Sequence, residues 1–501
     1  MSHTNGPSPT PVAAIDLGSN SFHLLVARSS PGELVVIDRL REMVQLAAGL
    51  DDSRKINEKA QERALECLRR FGQRVGHIPP ENVRAVGTNT LRSAKNARRF
   101  LIEAESALGH RIETISGIEE ARLIYLGVMQ SIPGAGSRSL VLDIGGGSTE
   151  LIVGEGYTPL EMESLYMGCV TMSRKHFAGG ELTGAAWRKA ELAALQELEP
   201  LRSRYRKAGW DQAVGASGTI RTAWSVVREA GWSQDGITAK SLRRLRDALL
   251  KAGHVEKLQL EGLAEARAGV FPGGVVLLQA AFESLGIERM VPSDGALREG
   301  ILTDLLGRFR EEDVRTRSVA ALADRFHVDR EQSARIEGTA LRFLAQSEGG
   351  WGINTREARQ LLTWAALLHE IGLDIAHQQY HRHGEYIIAE ADLFGFSREE
   401  QKALATLVRA HRRKFTVSII KELPPPWLRM TEKLAVIFRL SVVLHRSRTP
   451  APLPAATLAV KKRTIKLSFP AGWLDDHPLT QADLQQESDY LIAAGFKLDF
   501  S

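Results

Sequence analysis

The sequence predicts an α/β protein in which one domain occurs twice, followed by a mostly helical domain and a small C-terminal domain. Three observations lead to this prediction. A segment near the start of the chain reappears later, apolar strands alternate with helical stretches up to about residue 305, and long helical periodicity begins at about Arg315. The length of 501 residues, at roughly 150 residues per domain, leaves room for about three domains.

The repeated segment is Ile15–Ala27, which aligns without gaps on Leu142–Gly154. Asp16 and Asp143 occupy the same place in the two copies, 127 residues apart. That distance is close to the size of a domain, which indicates duplication and not the short period of a solenoid. Each copy has an apolar strand, a turn of small residues and a second apolar strand. This pattern predicts a β-hairpin, whereas a P-loop or a dinucleotide site needs a helix directly after its glycines.

Helical and extended stretches alternate with these hairpins. Periodicity predicts helices at Ile56–Phe71 and Trp187–Arg204, and short apolar runs predict strands at Val83–Gly87 and Gln212–Gly215. Such alternation is typical of layered α/β architectures.

The rest of the chain has a different pattern. Helices are predicted at Arg356–Ile371 and Lys402–Arg413, and the proline-rich stretch Thr449–Pro454 precedes a predicted hairpin at Leu458–Phe469. We therefore divide the chain into a disordered tail at residues 1–11, a first domain at 12–135, its second copy at 136–310, a helical domain at 311–447 and a small C-terminal domain at 448–501.

Composition excludes several classes of protein. Hydrophobic residues at 43% and charged residues at 25% exclude a disordered or fibrous chain. A net charge of +5 is too small to indicate a nucleic-acid partner, and we expect none. The two cysteines cannot form a disulfide framework, which favours a reducing, cytoplasmic setting. No apolar stretch reaches the ~18 residues of a membrane span, so at most a peripheral contact at the inner face of the membrane is expected.

The repeated turns suit phosphate chemistry. The carboxylates of Asp16 and Asp143, each at the end of a strand, could hold Mg²⁺, and the backbone N–H groups of the following small residues form an anion site. A tight hairpin alone would explain either turn. The aspartate at both favours phosphate binding, because the turn geometry does not require it.

Further charged residues lie near predicted turns. Glu119 and Glu120 follow Ser116 at a predicted helix start, where one of them could deprotonate water or simply face the helix dipole. Glu150, on the strand that leaves the second turn, could point toward a cleft or toward solvent. Arg298, near a glycine-containing turn, could bind a phosphate or form a surface ion pair.

These hairpins, together with Ser116–Arg122, Gly215–Thr219 and Asp294–Gly300, resemble the exopolyphosphatase and guanosine pentaphosphate phosphohydrolase family of the sugar kinase and actin superfamily. The resemblance covers nearly the whole chain. It implies two actin-like ATPase (ribonuclease H-like) domains, whose cleft hydrolyses a terminal phosphoanhydride with Mg²⁺. It leaves a monovalent cation such as K⁺ open and implies a homodimer.

The resemblance also implies roles for individual residues. Glu120 is expected to be the general base, Asp143 and Glu150 to organise metal and water, and Asp16 to be a further metal ligand. The residues implied to bind phosphate are Ser19, Asn20, Ser21, Arg92, Gly145, Gly146, Gly147, Ser148 and Arg267.

Three functions compete. We expect first an exopolyphosphatase that releases orthophosphate from inorganic polyphosphate, because the segments around Gly147 and Asp294 resemble that branch of the family. The alternative converts guanosine pentaphosphate to tetraphosphate in the stringent response, and Ala471–Leu479 resembles that branch at least as closely. The third candidate function is a non-hydrolytic phosphate sensor or an actin-like filament subunit. The retention of Glu120 and Glu150 argues against this candidate.

The segment Leu367–Gly372 resembles the HD metal-phosphohydrolase fold, which implies an HD-like helical domain. Glu370 stands where that fold has a metal-binding aspartate, so we expect no active metal pair here. A group of basic residues in the same domain could guide long polyphosphate chains, although a solvated helix face is the alternative. This predicted channel consists of Arg382, His383, Arg412, Arg413 and Lys414.

Overall fold

The computed structural model describes residues 11–30, 33–51, 53–132, 137–309 and 313–501. The chain forms two compact units, residues 1–312 and 313–501. The predicted tail lies outside the described residues except for Pro11, which begins the first strand. The predicted boundaries at 135 and 310 also fall outside the described residues.

The first half of the first unit contains a five-stranded sheet in the order β3-β2-β1-β4-β5. Strands β1, β2 and β3 are antiparallel neighbours, whereas β4 runs parallel to β1 and β5 parallel to β4. The elements are β1 (Pro11–Leu17), β2 (Phe22–Ser30), β3 (Glu33–Glu42), α1 (Glu58–Val75), β4 (Val83–Gly87), α2 (Asn89–Ser93), α3 (Ala97–Leu108), β5 (Ile112–Thr114) and α4 (Gly117–Ser131).

The second half of this unit repeats the arrangement. Its elements are β6 (Arg138–Ile144), β7 (Thr149–Glu155), β8 (Thr158–Leu165), α5 (Cys169–His176), α6 (Gly184–Ala208), β9 (Gln212–Ala216), α7 (Ser217–Glu229), β10 (Ile237–Thr238), α8 (Ala239–Ala252), α9 (Glu265–Ala268), α10 (Phe271–Leu285), β11 (Arg289–Pro292) and α11 (Leu297–Phe309). The sheet order is β10-β11-β9-β6-β7-β8. Strand β6 lies between the antiparallel strand β7 and the parallel strand β9, just as β1 lies between the antiparallel β2 and the parallel β4. The pairs β1–β2 and β6–β7 confirm the two predicted hairpins.

The predicted elements are close to those observed. Strand β4 has the predicted bounds, whereas α1 starts later and extends beyond its predicted end to Val75. Its first turn is capped by Asn57, whose side-chain oxygen accepts from the Ala60 N–H at 2.9 Å. Helix α6 starts at Gly184 because the Thr183 hydroxyl caps it by accepting from the Ala186 N–H at 3.1 Å.

The two sheets share one apolar core through two helices that cross between them. Helix α4 packs on β7 and β8 of the second sheet, and α11 packs on β1 of the first. The crossing is close: a methyl group at Gly127 would lie 1.9 Å from the Ala296 carbonyl oxygen, and one at Gly300 would lie 1.8 Å from the Leu123 carbonyl oxygen. Only glycine leaves room for such an approach.

A buried ion network lies beside this crossing. Arg84 of β4 donates to Asp304 of α11 at 2.7 Å, and Arg122 of α4 donates to Glu119 at 2.7 Å and also to Asp304. All four side chains are less than a tenth exposed. Burial opposes the charged form of Asp304, but Arg122 and Arg84 outweigh it and hold the pKa of Asp304 below its ordinary value.

The second unit is mostly helical, as predicted, with a small sheet near its C-terminus. Its elements are α12 (Val314–Arg325), α13 (Arg330–Gln346), α14 (Glu348–Trp351), α15 (Arg356–Leu368), α16 (Tyr380–Glu390), α17 (Arg398–Ala410), α18 (Val417–Lys421), α19 (Pro425–Leu444), β12 (Thr457–Lys461), β13 (Thr464–Ser468), α20 (Pro478–Ala493) and β14 (Lys497–Phe500). The predicted hairpin is β12 with β13, and β14 pairs parallel to β13.

The C-terminal segment shares the core of the helices. Ile465 and Leu491 belong to the same apolar cluster as Phe343. Arg439 of α19 is fully buried and donates to Glu487 of α20 at 2.9 Å. The division of this unit at residue 447 stays a prediction, since 313–501 behave as one compact unit.

Two general expectations can be compared with the described residues. Cys67 and Cys169 are both buried and free, so no disulfide supports the fold. Within the ranges given above, no helix combines the length and the apolar character that crossing a membrane requires.

The buried ion network should stabilise the first unit strongly. Asp304→Ala would leave two buried guanidiniums short of a counter-charge, and we expect it to lower the free energy of unfolding by about 3–5 kcal/mol. Arg99→Gln removes one member of an exposed pair with Glu103 and should cost less than about 1 kcal/mol. Urea denaturation of both variants measures the difference, and equal losses would contradict the role of the network.

Candidate functional site

The two hairpin turns meet. A methyl group at Gly146, in the second turn, would lie 3.1 Å from the Cβ of Ser19 and 3.9 Å from the Cβ of Asn20 in the first turn. The turn residues of the two copies, which are distant in sequence, are therefore neighbours. Two sets of small residues thus lie side by side, and their backbone N–H groups could face one anion.

Four carboxylates surround this place. Asp16 and Asp143 lie near the ends of β1 and β6, Glu150 is the cross-strand neighbour of Asp143, and Glu120 is in the first turn of α4. The side chains of Leu151 and Ile152 pack in different cores, which confirms that successive residues of β7 face opposite sides of the sheet.

Burial and mutual repulsion destabilise the charged forms of Asp16, Asp143 and Glu150. Burial, followed by the charge of Glu120, raises the pKa of Asp16 to about 8 and that of Asp143 to about 7. The same two causes, with a smaller effect from Asp143, raise the pKa of Glu150 well above its ordinary value. Sets of acids with raised pKa values in a cleft are typical of functional sites.

Neighbouring side chains position two of the acids. Arg92 donates to the Glu120 carboxylate at 2.7 Å and to the Ile115 carbonyl at 3.1 Å. Ser164 of β8 donates to the Glu150 carboxylate at 2.9 Å. Both acids are less than a tenth exposed, so these hydrogen bonds fix their orientation.

Three of the four acids are suited to a cation. One carboxylate oxygen of Asp16 is buried and has no hydrogen-bond partner. Asp16, Asp143 and Glu150 offer only oxygen atoms, which are the ligands that Mg²⁺ prefers. Among the described residues, no three or more His, Cys, Asp or Glu side chains converge into a complete metal site. The unpartnered oxygen of Asp16 and the oxygen-only set of donors fit a cation of this class, and a bound Mg²⁺ stays a prediction.

The phosphate-binding residues predicted in the turns are held by neighbouring segments. Ser19 accepts a hydrogen bond from the Thr90 hydroxyl of α2 at 2.8 Å, and the Asn20 carbonyl accepts from the Gln45 N–H at 2.8 Å. The Gly145 N–H donates to the Ser148 carbonyl at 2.9 Å, which closes the second turn. These contacts hold the backbone of both turns in place.

Gly147 lies against α2. A methyl group at this position would come within 2.6 Å of the side-chain oxygen of Asn89. The second turn therefore reaches the helix that also carries Arg92, and the predicted residues Gly145, Gly146, Gly147, Ser148 and Arg92 belong to one region.

His23 determines the role of Ser21. Arg298 has only protons to donate, and its nitrogen lies 3.2 Å from Nδ1 of His23, so Nδ1 is the acceptor. Burial, followed by the charge of Arg298, lowers the pKa of His23 to about 3, so the ring is neutral and carries its proton on Nε2. Nε2 lies 2.8 Å from the Ser21 hydroxyl and donates to it. The Ser21 proton is then available for a phosphate oxygen.

Arg267 lies beside the first turn of α7. A methyl group at Gly218 would come within 1.9 Å of the Arg267 guanidinium, so the arginine lies directly on the backbone at the start of this helix. Strand β9 passes into α7 without an intervening loop, and the first helical residue, Ser217, has a φ of 81°.

In the second unit, the segment that resembles an HD site has a different arrangement. Nδ1 of His369 donates to the Ala366 carbonyl at 2.8 Å, and Nδ1 of His411 donates to the Val408 carbonyl at 2.6 Å. The carboxylate of Glu370 is paired with Arg448. An acid engaged with a guanidinium is a poor metal ligand, and the HD-like assignment remains a resemblance.

The residues of the predicted channel lie on and near α16 and α17. Arg382, Arg413 and Lys414 are exposed, and Arg412 stacks over the Tyr380 ring at 4.4 Å from its centroid. His383 is half-buried on α16. Their role in polyphosphate binding stays a prediction.

The sequence interpretation missed several residues of the site. Thr90 and Ser164 support Ser19 and Glu150 from other elements, and Asn89 packs on Gly147. Arg41 and Arg221 also lie near His23. Asn89 and Thr90 lie between the predicted strand Val83–Gly87 and Arg92, and this place in the sequence could have indicated them. No local signal marks Ser164, Arg41 or Arg221.

Two protein-family models match most of the chain. Residues 25–309 match the model of the Ppx/GppA phosphatase family, and residues 314–488 match that of Ppx/GppA phosphatase, domain III. A relative from Aeromonas hydrophila, named guanosine-5'-triphosphate,3'-diphosphate pyrophosphatase, is 42% identical over 95% of both chains.

Solved structures share the fold of more than half of the chain. The PPX-GPPA enzyme of Aquifex aeolicus is 27% identical, with a TM-score of 0.50 over 58% of this chain and 98% of that one. An exopolyphosphatase from Cytophaga hutchinsonii is 24% identical, with a TM-score of 0.54 over 60% of this chain and 98% of that one, and shows the fold alone. These likenesses support the predicted α/β actin-like architecture.

The buried histidines predict that acid destabilises the second unit. Burial lowers the pKa of His381 and the pKa of His445, each to about 4. The second cause is the charge of Arg409 for His381 and the charge of Arg335 for His445. Between pH 6.5 and 4 the unfolded chain binds more protons, so stability falls as the pH falls through that window. We expect a loss of on the order of 3 kcal/mol between pH 7 and pH 4.5, since one pKa unit is about 1.4 kcal/mol.

Hydrogen exchange of α16 and α19 in the full chain, followed against pH, measures this loss. His381→Asn should reduce the pH dependence, whereas His327→Asn, at an exposed histidine, should leave it unchanged. A pH dependence that is the same in both variants would contradict the assignment.

Proposed function

The chain belongs to the Ppx/GppA phosphatase family, and we propose that it hydrolyses the terminal 5′ phosphoanhydride bond of guanosine pentaphosphate, releasing orthophosphate and guanosine tetraphosphate. The observation that carries this proposal is a set of four carboxylates, three of them buried, beside the two hairpin turns that meet at Gly146 and Ser19. The name of the 42% identical relative supports the choice of substrate. It favours the alternative from the sequence over the exopolyphosphatase that we expected first.

The turns would bind the phosphate that is released. Backbone N–H groups around Gly146 and the Ser21 hydroxyl could donate to its oxygens. Arg92, on α2 beside Gly147, could contribute a guanidinium to the same group. These donors would lie where negative charge accumulates in the transition state, and donors already held by the fold would need little reorganisation.

Glu120 would act as the general base. A water molecule attacks the terminal phosphorus, the new P–O bond forms as the bond to the bridging oxygen breaks, and the water proton passes to the Glu120 carboxylate. The bridging oxygen leaves with the guanosine tetraphosphate. Arg92 holds the Glu120 carboxylate at 2.7 Å and would keep it oriented for this proton transfer.

We propose that Asp16, Asp143 and Glu150 hold Mg²⁺ together with phosphate oxygens. When bound, the ion would neutralise charge on the phosphoryl group. It would also relieve the repulsion that raises the pKa values of these three acids. A requirement for K⁺ and a homodimer remain predictions.

A second candidate is hydrolysis of inorganic polyphosphate. The pentaphosphate branch tends to carry alanine where Gly147 stands, and a methyl group there would come within 2.6 Å of Asn89 in this chain. The contact therefore favours the glycine of the polyphosphate branch at this position. The exposed cations Arg382, Arg413 and Lys414 would help to bind a long chain if this candidate holds.

The substrate is tested by orthophosphate release with Mg²⁺ from guanosine pentaphosphate, long-chain polyphosphate and ATP under one condition. We expect kcat/KM for guanosine pentaphosphate to exceed that for polyphosphate chain ends by at least about tenfold, as the difference of a few phosphate contacts allows. A preference for polyphosphate would make the second candidate the function. Failure on all three substrates would remove both.

The base is tested by Glu120→Gln. The amide can still accept a hydrogen bond from Arg92 but cannot take the water proton, so kcat should fall by about 10²–10⁴-fold while substrate binding is retained. Glu103→Gln, at a partly exposed acid of α3, is the matched control and should keep full activity. Full activity of Glu120→Gln with an unchanged pH profile would rule out the assigned role.

A further inference from the structure

A cavity of about 510 Å³ lies in the second half of the first unit. It is bounded by the end of α6, the start of β9, the end of α10 and the start of β11. Strands β9 and β11 are parallel neighbours, so the cavity lies at the amino ends of both. Sites for small molecules typically have volumes of about 300–1,000 Å³, so this cavity is large enough for a small organic ligand.

The carboxylates of the candidate site lie at the opposite end of these strands. Ala216, the last residue of β9, is the neighbour of Asp143 on β6. Ser293, which directly follows β11, donates its N–H to the Gly215 carbonyl at 2.8 Å. A strand rises about 3.3 Å per residue, so roughly 10 Å of β9 separates Ala213 at the cavity from Ala216. The cavity is therefore distinct from the place where the phosphate chain would react.

The cavity has apolar walls and one aromatic ring. Ala213 and Leu285 line it and are buried. Trp210 is half-buried and packs against the apolar core of the second half, which holds its ring at the cavity. A tryptophan held in this way can stack on a flat ring, and every nucleobase has a face suited to such stacking.

Charges of both signs border the cavity. The cations are Arg206 of α6 and Arg289 of β11, and the acids are Asp211 and Glu288. Because two cations and two acids balance, the cavity does not select an anion by its net charge. It offers guanidinium donors and carboxylate acceptors to one ligand.

Arg206 and Glu288 both lie near the end of α10. A methyl group at Gly286 would lie 3.6 Å from Nη2 of Arg206, so the guanidinium rests on this glycine, and Glu288 follows two residues later. Arg206 also donates to the Glu283 carbonyl at 3.3 Å, which orients the guanidinium. Within the described ranges neither Arg206 nor Glu288 forms an ion pair, so both remain available to a ligand.

This set of groups matches the edge of a guanine base. Guanine presents O6 and N7 as acceptors, which an arginine can bind with two parallel hydrogen bonds. Its N1–H and 2-amino groups are donors, which a carboxylate can accept with its two oxygens. Adenine has an amino donor where guanine has O6 and an acceptor where guanine has N1–H, so it would leave both charged groups unpaired. A free phosphate would use only the arginines and would be repelled by the acids.

We propose that this cavity is a second ligand site, which binds the guanine base of a nucleoside or nucleotide. Trp210 stacks on the base, Arg206 donates to O6 and N7, and Glu288 accepts from N1–H and the 2-amino group. Arg289, at the start of β11, borders the same cavity and is available to a sugar or phosphate group. The site goes beyond the proposed function, because hydrolysis at the carboxylates does not require a base at the other end of the strands.

Calorimetric titration of the full chain with guanosine, which has no phosphate for the hairpin turns, tests the site. Guanosine should bind at least about tenfold more tightly than adenosine, because paired hydrogen bonds distinguish the two bases. Glu288→Gln should remove most of this preference, since an amide has one acceptor oxygen for the two donors of guanine. Trp210→Ala should weaken the binding of both nucleosides about tenfold. Arg243→Gln, at an exposed arginine of α8 outside the cavity, is the control and should change neither affinity.

Three binding results would overturn the proposal: no binding of guanosine, equal binding of guanosine and adenosine, or a preference for guanosine that Glu288→Gln leaves intact. Glu288 is exposed, so its replacement should not disturb folding. If Trp210→Ala fails to fold, Trp210→Phe keeps a ring that can stack and should retain the binding of guanosine.

Kinetics provide the second arm. Glu288→Gln should keep the wild-type kcat of orthophosphate release, because Glu288 lies away from the carboxylates. A kcat that falls together with the binding of guanosine would assign Glu288 to the catalytic site and overturn the proposal. The comparison of the two nucleosides holds whichever phosphate chain is hydrolysed, so a failure of the proposed function would leave this site to be decided by binding alone.

Discussion

The buried ion network between α4, β4 and α11 is the constraint on which the first unit depends. Asp304 joins Arg84 and Arg122, and Arg122 is also held by Glu119. Breaking one pair of this network would leave a buried charge that neither a partner nor water compensates. Its members must therefore move together or stay in place. Since Glu120 follows Glu119 on the same helix, locking Glu119 on the buried face directs Glu120 to a different face, toward the turns.

The close crossing of α4 and α11 has a related consequence. Each helix packs on the sheet of the other half, so the two copies share a core that contains Val86 and Val141. A duplicated domain with separate cores would leave the two hairpins free to move apart. Here the glycine contacts at Gly127 and Gly300 bring the helix backbones together, and the turns meet as a result.

Charge is separated within the proposed site. Carboxylates with raised pKa values lie near several arginines, of which Arg298 is paired with Glu299 at 3.8 Å. The charges of Arg298 and Arg221 offset only part of the rise in the pKa values of Asp16 and Asp143. The acids and the arginines of the site compensate each other's charge less fully than the acids and arginines of the buried network do. A site in this state is suited to a ligand that brings both cation and anion, which a metal–phosphate complex does. The small net charge of +5 hides this separation.

The sequence by itself determined the duplication, the hairpins and the principal acids. Asp16 and Asp143 could be found because each ends a strand of the repeated motif, whereas the residue pattern left Glu120 and Glu150 open and the family resemblance selected them. Only the tertiary structure decided which distant residues join them. Arg41, Arg221 and Ser164 come from separate elements, and their convergence depends on strand register and helix crossing, which no local pattern encodes. Electrostatic groups act through space, so the partner of each charge is set by the packing of the core and not by its place in the chain.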